Sequence, residues 1–434
     1  MNSWGVYPVY RKLKGAATWY RIEGPGRWVE LQQIGNRWMR HEMAATQYPE
    51  RLFVQDLLSD RVRFEEITQE RWDSMSELAG LDALPGKGGG SSIEVLEQHD
   101  LGSMTTFGVP GRTAYFIEGK TDDAVRAALR WKPESMPLLV LGGGSNMLLH
   151  ADWPGLVLHV NVRGTRVTSD DGRWVEVVSG AGESWHEFVM QTVNEGWRGL
   201  ENLALIPGKV GAAPMQNIGA YGVEIKDRCT WVEAVNIHDG SLRRFQASEC
   251  AFGYRESIFK RAEKGNWVIT RVAFKLDRQA ELNTDYGAIR EELAFKPDAD
   301  WNARDVADAV IRIRSSKLPD PRVLGNAGSF FKNPVLSAEA FAAFDRKHPE
   351  APSYPQSDGS VKLAAGWLIE RAGWKGHDRV THGVHDRQAL VLVNKGGATG
   401  PQIWELAQHI RQDVLDQFHV ELEPEVNQIG LKES

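Results

Sequence analysis

Residues 137–146 read P-L-L-V-L-G-G-G-S-N, an apolar run followed by three glycines, a serine and an asparagine. The run Pro137–Leu141 has the length and composition of a short buried strand. Because the glycines have no side chains, successive backbone N–H groups can point at one anion, as in the nests that hold a pyrophosphate. The stretch lacks the G-K-[ST] of a Walker loop and the G-x-G-x-x-G dinucleotide fingerprint. Taken alone, a plain turn explains the triple glycine better than an anion site does.

Two more glycine-containing stretches follow the first one. One is G-A-G-E-S-W at residues 180–185, and the other is E-N-L-A-L-I-P-G-K-V-G-A-A-P-M-Q-N-I-G-A-Y-G at residues 201–222. The longer stretch carries the amide pair Gln216 and Asn217 and few charges, and its small residues let backbone approach a large flat ligand. The alternative is a tightly packed crossover loop. Three such stretches in one mixed domain favour a long cofactor over a small metabolite.

The segment A-G-S-F-F-K-N-P, residues 327–334, combines a small acid–base group with an apolar wall. Ser329 lies between a glycine and two phenylalanines that exclude water, and Lys332 and Asn333 supply a cation and an amide. These residues predict a functional site. The alternative is a buried turn with Lys332 on the surface.

Strands and helices alternate in the remainder of the chain, which predicts an α+β protein with at least three lobes. The expected helices open at Thr121, Ser184 and Gly400, and the expected strands cover residues 156–160, 174–178 and 267–269.

Composition excludes several classes of function. The 434 residues allow two to four domains, and a net charge of -7 with a pI near 6.0 argues against binding to nucleic acid or an anionic membrane. The two cysteines show no metal-ligand pattern, which predicts reduced thiols and no metal site. The start of the chain lacks the pattern of a signal peptide and no apolar run reaches the length of a membrane span, so we predict a soluble cytoplasmic protein.

The run G-K-G-G-G-S-S at residues 86–92 predicts a flexible tether between domains, and its composition is that of a natural linker as much as of a fusion scar. Before it, residues 1–85 form a predicted small domain with strands at 19–22 and 28–31, an extended stretch at 51–54 and a helix capped by Thr68. Five of the 16 tryptophans lie in this domain, which can serve as a compact core or as a surface for a protein partner.

From about His99 to Gly430 the chain resembles the UDP-N-acetylenolpyruvoylglucosamine reductase family, which leaves the first domain without a counterpart. The motifs that carry the resemblance are T-T-F-G (105–108), G-G-G-S-N (142–146), G-L-E-N-L-A-L-I-P-G (199–208), Q-N-I-G-A-Y-G-V-E (216–224), F-G-Y-R-E-S-I-F-K (252–260), S-S-K-L-P-D-P (315–321), N-A-G-S-F-F-K-N-P (326–334) and L-E-P-E-V (422–426).

The resemblance implies an FAD-binding domain of the vanillyl-alcohol-oxidase (PCMH) type at residues 93–300 and a substrate-binding α+β domain at 301–434, whose last strand returns to the active site. The sequence D-Y-G at residues 285–287 is similar to the type I form of the family. The residues expected to bind FAD are Gly142, Gly143, Gly144, Ser145, Asn146, Gly180, Gly182, Gln216, Asn217 and Gly219.

The implied reaction reduces UDP-N-acetylglucosamine enolpyruvate to UDP-N-acetylmuramate in peptidoglycan synthesis, and so serves cell wall biogenesis, cell shape and cell division. NADPH delivers a hydride to FAD, and the reduced flavin delivers it to the methylene terminus of the vinyl ether. Negative charge then grows on the adjacent carbon and its carboxylate, which requires charge stabilisation and a proton.

The resemblance assigns Ser329 as the proton donor, Arg255 as the partner of the substrate carboxylate and Glu425 as the third catalytic residue. Arginine suits its role because its fork binds a carboxylate at two points and keeps its charge. Considered alone, Arg255 is better explained as an ion-pair partner of Glu256. Glu425 shares strand parity with two other glutamates, Glu421 and Glu423, so a solvated acidic face is also natural.

The residues that match substrate-binding positions of the family are Tyr286, Lys317, Asn333 and Gln388. Lys317 can also serve NADPH, because both ligands are expected to occupy one pocket in turn. Tyr254 either lines the cleft or belongs to the core. Lys209 departs from the family pattern, in which small residues are expected at that place.

Two rival functions follow from the same residues. Another FAD oxidase on this fold, acting on an alcohol or hydroxy acid, is disfavoured by the presence of Arg255, Ser329 and Glu425. The other rival is a binding or scaffold protein, in which the tryptophan-rich first domain recruits a partner and the flavin domain is secondary.

Overall fold

In the computed structural model, residues 8–24, 27–34, 37–44, 54, 56–78 and 93–431 are described. The chain divides into two compact units, residues 1–93 and 94–434. The predicted tether at residues 86–92 lies outside the described residues.

The described residues of the first unit form an antiparallel sheet with strand order β4-β3-β2-β1-β5, a helix at Gln69–Leu78 and helical turns at residues 54 and 56–59. The predicted hairpin at 19–22 and 28–31 is confirmed, because Trp19 pairs with Leu31 and Ile22 with Trp28. The elements are β1 (Val9–Leu13), β2 (Thr18–Gly24), β3 (Arg27–Ile34), β4 (Arg37–Ala44), β5 (Phe64–Glu66) and α1 (Gln69–Leu78).

Period-two alternation along β2 supplies the apolar faces of the first unit. Tyr20 and Ile22 pack in one cluster and Trp19 in the other. The predicted extended stretch at 51–54 is wrong at Val54, which is helical and buried in the first of these clusters; residues 51–53 lie outside the described residues. The predicted cap is confirmed, since Thr68 Oγ1 accepts from Arg71 N at 3.3 Å.

The second unit begins with a four-stranded sheet of order β6-β7-β10-β8, in which β7, β10 and β8 are parallel. Its elements are β6 (Val95–Asp100), β7 (Arg112–Gly119), α2 (Asp122–Trp131), β8 (Leu138–Leu141), β9 (Met147–Leu149) and β10 (Trp153–Val160). The predicted strand at 137–141 forms, but it is not fully buried: Val140 is 39% exposed, because β8 is an edge strand.

An antiparallel sheet of order β11-β12-β17-β15-β16 follows. It confirms the predicted strands at 174–178 and 267–269 and extends the second to Asp277. The elements of this region are β11 (Thr165–Asp170), β12 (Trp174–Gly180), α3 (Trp185–Asn194), β13 (Gly219–Ala220), β14 (Val223–Glu224), β15 (Cys229–Asn236), β16 (Leu242–Gln246) and β17 (Trp267–Asp277).

The last part of the unit consists of helices and two small antiparallel sheets, β18-β23-β22 and β19-β21-β20. Its elements are α4 (Gly287–Leu293), α5 (Ala303–Lys317), β18 (Gly325–Ser329), β19 (Val335–Leu336), α6 (Ala338–Asp345), β20 (Ser353–Pro355), β21 (Val361–Leu363), α7 (Ala365–Arg371), β22 (His382–Val384), β23 (Val391–Asn394), α8 (Gly400–Phe418) and β24 (Asn427–Ile429).

One hydrophobic core joins the two ends of the second unit, since it draws buried side chains from residues 101–157 and from residues 327–426. Phe107 and Phe330 meet in it, edge to face, with ring centroids 6.2 Å apart. The final strand β24 pairs in parallel with β9. The last residues of the fold therefore lie beside the strand that follows the triple glycine.

Candidate active site

The turn at residues 142–146 has the geometry of an anion nest. Gly144 has φ +59°, and a Cβ placed there would lie 2.0 Å from the carbonyl oxygen of Met104, so this position requires glycine. Within residues 93–431, the backbone N–H groups of Gly143, Gly144 and Ser145 donate to no protein acceptor. The buried hydroxyl of Thr106, beside the turn, also lacks a partner there. These unsatisfied groups fit an anionic ligand such as a dinucleotide phosphate.

Gly180 and Gly182 are explained first by close packing. A Cβ on Gly180 would lie 2.3 Å from Val162 O, and one on Gly182 would lie 2.5 Å from Asn161 Cα. The turn therefore fits tightly against the residues that follow β10. A contact between these glycines and a cofactor stays a prediction.

The segment at residues 201–222 is built around strained backbone. Asn217 has φ +44° and is fully buried. Its amide nitrogen donates to Glu224 Oε2 at 2.9 Å and to Gly253 O at 3.0 Å, while its oxygen accepts from Lys226 N at 3.1 Å. Both amide hydrogens are thus used within the chain, so the side chain of Asn217 holds this loop to the next one.

Arg255 and Glu425 form an ion pair at the centre of the site. Arg255 Nε lies 3.3 Å from Glu425 Oε1, and the two side chains are 25% and 14% exposed. The Nε–H does not reach hydrogen-bond geometry with that oxygen, and Nη1 donates to Gly219 O at 3.1 Å. The alternative pairing with Glu256 is wrong, because Glu256 pairs with Arg261 at 2.9 Å.

Arg255 also occupies an unusual backbone conformation. Its φ of +54° is rare for a residue with a long side chain. It lies in a tight turn in which Gly253 and Glu256 exchange two backbone hydrogen bonds of 3.0 and 3.3 Å. Such strain persists where the surrounding structure fixes the residue, and it is concentrated at functional sites.

Glu425 is separated from the neighbouring glutamates by burial. Glu423 is 70% exposed and Glu421 is also exposed, so the alternative of a common acidic face is wrong for Glu425. Burial raises the pKa of the Glu425 carboxyl, while Arg255 and Lys260 and then Lys332 oppose that rise by their charges. The pKa of Glu425 therefore reflects two opposing effects, since desolvation favours the protonated acid and the three cations favour the carboxylate.

Amide groups from two of the glycine stretches meet at Glu425. Asn146 Nδ2 donates to the backbone oxygen of Glu425 at 3.2 Å, and Gln216 Nε2 to its Oε1 at 3.5 Å. Three of the predicted regions therefore meet at one residue, Glu425: the first glycine turn, the 201–222 segment and the final motif.

Ser329 is adjacent in sequence to Phe330, whose backbone is hydrogen-bonded to the backbone of Glu425. Phe330 O accepts from Glu425 N at 2.8 Å, and Phe330 N donates to Leu390 O at 2.8 Å. Phe330 and Phe331 are fully buried, as the apolar wall predicted from the sequence requires. Within residues 93–431 no hydrogen bond engages the Ser329 hydroxyl, which is therefore available to a ligand.

The predicted substrate residues divide into two groups. Asn333 and Gln388 lie on the segments around Ser329: Asn333 Oδ1 accepts from Ala365 N at 3.0 Å and Gln388 Oε1 from Leu390 N at 3.4 Å.

The other two substrate residues are exposed. Tyr286 precedes α4 and meets the ring of Tyr221 edge to face at 5.1 Å, while Lys317 ends α5. In the described part of the chain no hydrogen bond or ion pair joins either of them to Arg255, Ser329 or Glu425.

Tyr254 and Lys260, which flank Arg255 in the same motif, also lie at the site. Tyr254 is exposed, with Lys362 Nζ 4.7 Å from its ring centroid, so its assignment to the core is wrong. Lys260 was not singled out from the sequence, although it ends the motif F-G-Y-R-E-S-I-F-K; its Nζ donates to Arg255 O at 3.3 Å.

Arg314 is a second residue that sequence reasoning missed. It lies one helical turn before Lys317 on α5, and its Nε donates to Leu205 O at 3.3 Å. Burial lowers the pKa of its guanidinium, against the opposing effect of Tyr221. No pattern in the sequence distinguishes Arg314 from the other arginines of this helix.

Comparison with known proteins gives consistent results. Residues 320–429 match the family model described as UDP-N-acetylenolpyruvoylglucosamine reductase, C-terminal domain, and residues 113–246 match an FAD binding domain. The latter match confirms the predicted FAD-binding domain, and the mixture of helices and sheets confirms the α+β class.

Several relatives are similar over most of the chain. The UDP-N-acetylenolpyruvoylglucosamine reductase of Pseudomonas fluorescens (strain Pf0-1) is 53% identical over 337 residues, 77% of this chain and 99% of that protein. The enzyme of that name from Azoarcus sp. (strain BH72) is 51% identical over 341 residues, 77% of this chain and 97% of that protein. The crystal structure of the Thermus caldophilus reductase is 25% identical with a TM-score of 0.53, and the match covers 78% of this chain and 99% of that one.

Among the residues that the structure describes, no helix combines the length and apolarity needed to cross a bilayer.

Proposed function

Since this chain belongs to the UDP-N-acetylenolpyruvoylglucosamine reductase family, we propose that it reduces UDP-N-acetylglucosamine enolpyruvate to UDP-N-acetylmuramate, with FAD as resident cofactor and NADPH as electron donor. The reaction is a step of peptidoglycan synthesis, and the cytoplasm is its predicted location. The proposal is carried by one observation: the partly buried ion pair Arg255–Glu425 lies beside the Ser329 segment and the glycine turn.

The turn at 142–146 and the segment around Gln216 and Gly219 would hold FAD. The unpaired N–H groups of Gly143, Gly144 and Ser145 suit its diphosphate. When bound, FAD supplies the hydride chemistry that side chains lack. Gly180, Gly182 and Asn217 would not need to contact FAD through side chains. They would fix the conformation of the backbone that surrounds the cofactor.

Arg255 would bind the carboxylate of the enolpyruvyl group. Its Nε contact with Glu425 is an ion pair without hydrogen-bond geometry, so a substrate carboxylate can take the guanidinium in a two-point contact. The strained turn fixes the direction of the side chain before the substrate arrives, which reduces the entropy lost on binding.

Ser329 would donate the proton that completes the reduction. An enolate-like carbon is a strong base, so that a hydroxyl with no protein partner can serve as the acid when geometry is fixed. Phe330 and Phe331 exclude water from this position, which strengthens the electrostatic interactions made there.

Glu425 would stabilise the arrangement and assist the supply of the proton. Burial raises its pKa, so that it can exchange a proton more readily than an exposed glutamate. The cations Arg255, Lys260 and Lys332 limit that rise, because each favours the ionised form.

The remaining substrate contacts are proposed for Tyr286, Lys317, Asn333 and Gln388. A UDP-sugar carries two phosphates, which a lysine and polar side chains can bind. Tyr286 and Lys317 are exposed and free to close over a ligand. A protein partner of the first unit stays a prediction, since Trp19, Trp28 and Trp72 are used in its core.

The test follows the two half-reactions separately. NADPH should bleach the visible absorbance of the bound flavin in the absence of oxygen, and the enolpyruvyl substrate should restore it with formation of UDP-N-acetylmuramate, detected by mass. Restoration by an alcohol or hydroxy acid instead would assign the chain to another oxidase, and a protein that takes up no flavin would refute the proposal.

The variant Ser329→Ala isolates the proposed proton donor. We expect flavin reduction by NADPH to proceed at the normal rate and the second half-reaction to slow by roughly 10²–10⁴-fold, the range for general acid catalysis. If both half-reactions keep their rates, Ser329 is not the proton donor.

A further inference from the structure

Lys209 lies where the three glycine stretches meet. Its neighbours in sequence are held by the residues after Gly182, because Trp185 N donates to Gly208 O at 3.0 Å and Val210 N to Glu183 O at 2.9 Å. The first turn packs on the opposite side, where a Cβ built on Gly143 would lie 3.5 Å from Lys209 Cγ. The stem of Lys209 thus crosses directly over the turn with the unpaired N–H groups.

The charge of Lys209 has no counter-ion in the described part of the chain. The side chain is half-buried, and no carboxylate lies within 4.0 Å of its ammonium group. Glu183, whose backbone oxygen accepts from Val210 N, has its carboxylate already bound by Arg163 at 3.0 Å and by Gly164 N at 2.7 Å.

Burial lowers the pKa of Lys209, and the charge of Arg163 adds to that effect, while Glu187 and Glu183 oppose it. An ammonium group is normally paired when it is removed from water, since desolvation disfavours its charge. Its counter-charge is therefore expected from a ligand.

We infer that Lys209 binds the diphosphate of the flavin dinucleotide and, with the backbone N–H groups of Gly143, Gly144 and Ser145, completes a positively charged cradle for it. Two independent features converge on the same place: three consecutive N–H donors without acceptors, and an unpaired cation whose stem packs on that turn. Lys209 also lies within residues 113–246, which match an FAD binding domain.

Other diphosphates are present in the proposed reaction, in NADPH and in the UDP-sugar. The stem of Lys209 packs on the first glycine turn, and within residues 93–431 no hydrogen bond or ion pair joins it to the segment of Ser329 or to Lys317, so the resident dinucleotide is the source that its position favours. The inference concerns retention of the cofactor and does not depend on which substrate is reduced.

The test measures flavin retention in the full-length, flavin-loaded protein. Lys209→Met keeps the length of the stem and removes the charge, Lys209→Arg keeps the charge, and Lys264→Met removes one exposed lysine outside the site as a matched control. On serial dilution, recovery of free-flavin fluorescence gives the dissociation constant of FAD.

We expect Lys209→Met to weaken FAD retention by roughly tenfold to a hundredfold, the range for a lost charge-assisted hydrogen bond. Lys209→Arg and Lys264→Met should retain FAD as the unaltered protein does. KM for NADPH and for the UDP-sugar should stay unchanged in every flavin-saturated variant.

A second measurement uses the unaltered protein and so does not depend on the folding of a variant. Release of FAD from the unaltered protein should increase with salt, because added ions screen the contact between an ammonium group and a diphosphate. Salt-independent retention would overturn the inference. Unaltered FAD affinity in Lys209→Met would also overturn it, as would a raised KM for the UDP-sugar or NADPH with normal flavin retention.

Discussion

Replacing Arg255 by methionine should destabilise the second unit in a pH-dependent way. At the 3.3 Å separation of Arg255 Nε and Glu425 Oε1, the Coulomb energy is about 5 kcal/mol for an effective dielectric constant of about 20, part of which desolvation offsets. Breaking a fully buried pair costs about 3–5 kcal/mol, and an exposed pair contributes about 0–1 kcal/mol. Since the side chains are 25% and 14% exposed, this pair lies between those two limits, and we expect the free energy of unfolding to fall by about 2–3 kcal/mol at pH 8.

The sign of the pH dependence follows from Glu425. Burial already raises the pKa of this carboxyl, and loss of Arg255 removes the strongest opposing charge, so the pKa rises further. A raised pKa means that the folded state favours the protonated form, and stability is lost as pH increases through the folded pKa. The destabilisation should therefore be larger at pH 8 than at pH 5.

Urea unfolding followed by helical circular dichroism is a suitable assay, since α2–α8 all belong to the second unit. The matched control is Arg261→Met, which breaks the pair with Glu256 on a side chain that is 71% exposed and should cost less than about 1 kcal/mol. A loss in Arg255→Met that equals the control, or that is the same at both pH values, would refute the reasoning.

Three further predictions concern the backbone, the thiols and the domain division. Gly144→Ala should destabilise the protein by more than about 1 kcal/mol and reduce flavin content, because alanine at φ +59° is strained and its Cβ would lie 2.0 Å from Met104 O; thermal unfolding and the flavin absorbance measure both effects. Cys229 and Cys250 should react with iodoacetamide only after unfolding, since burial raises the pKa of both thiols, that of Cys250 to about 12; mass spectrometry of the folded protein checks this. Removal of residues 1–92 should spare flavin content and turnover, because residues 94–434 form their own compact unit.

Much of the fold is predictable because local signals agree with it. Thr121 and Ser184 cap the helices that follow them, and Thr399 with Gln402 forms a capping box at the start of α8, where Pro401 lies in the first turn. The predictions of burial are wrong where the position of a strand in its sheet, and not its composition, decides how much of it is exposed. The apolar run at 137–141 is an edge strand, and no local pattern shows which strand of a sheet lies at its edge.

The residues proposed for catalysis can be predicted from the sequence only through the ordered set of motifs. The alternation of a strand places Glu421, Glu423 and Glu425 on the same face, so the sequence pattern does not distinguish them. Only tertiary packing removes Glu425 from solvent. No local sequence pattern identifies Lys260 or Arg314 as a residue of the site. Their positions become informative only through tertiary contacts, in which Lys260 donates to the carbonyl of Arg255 in the strained turn and Arg314 donates to the carbonyl of Leu205.

The parallel pairing of β24 with β9 has a consequence for synthesis in the cell. Glu425 lies two residues before β24, and its bond to Asn146 joins positions separated by 279 residues in the chain. A ribosome therefore finishes the glycine turn long before it releases the acid that completes the site. A chain that stops before Glu425 would contain the segments of every helix described here, the last of which ends at Phe418, and would lack the acid that we propose for the site, so we expect such incomplete translation products to be inactive.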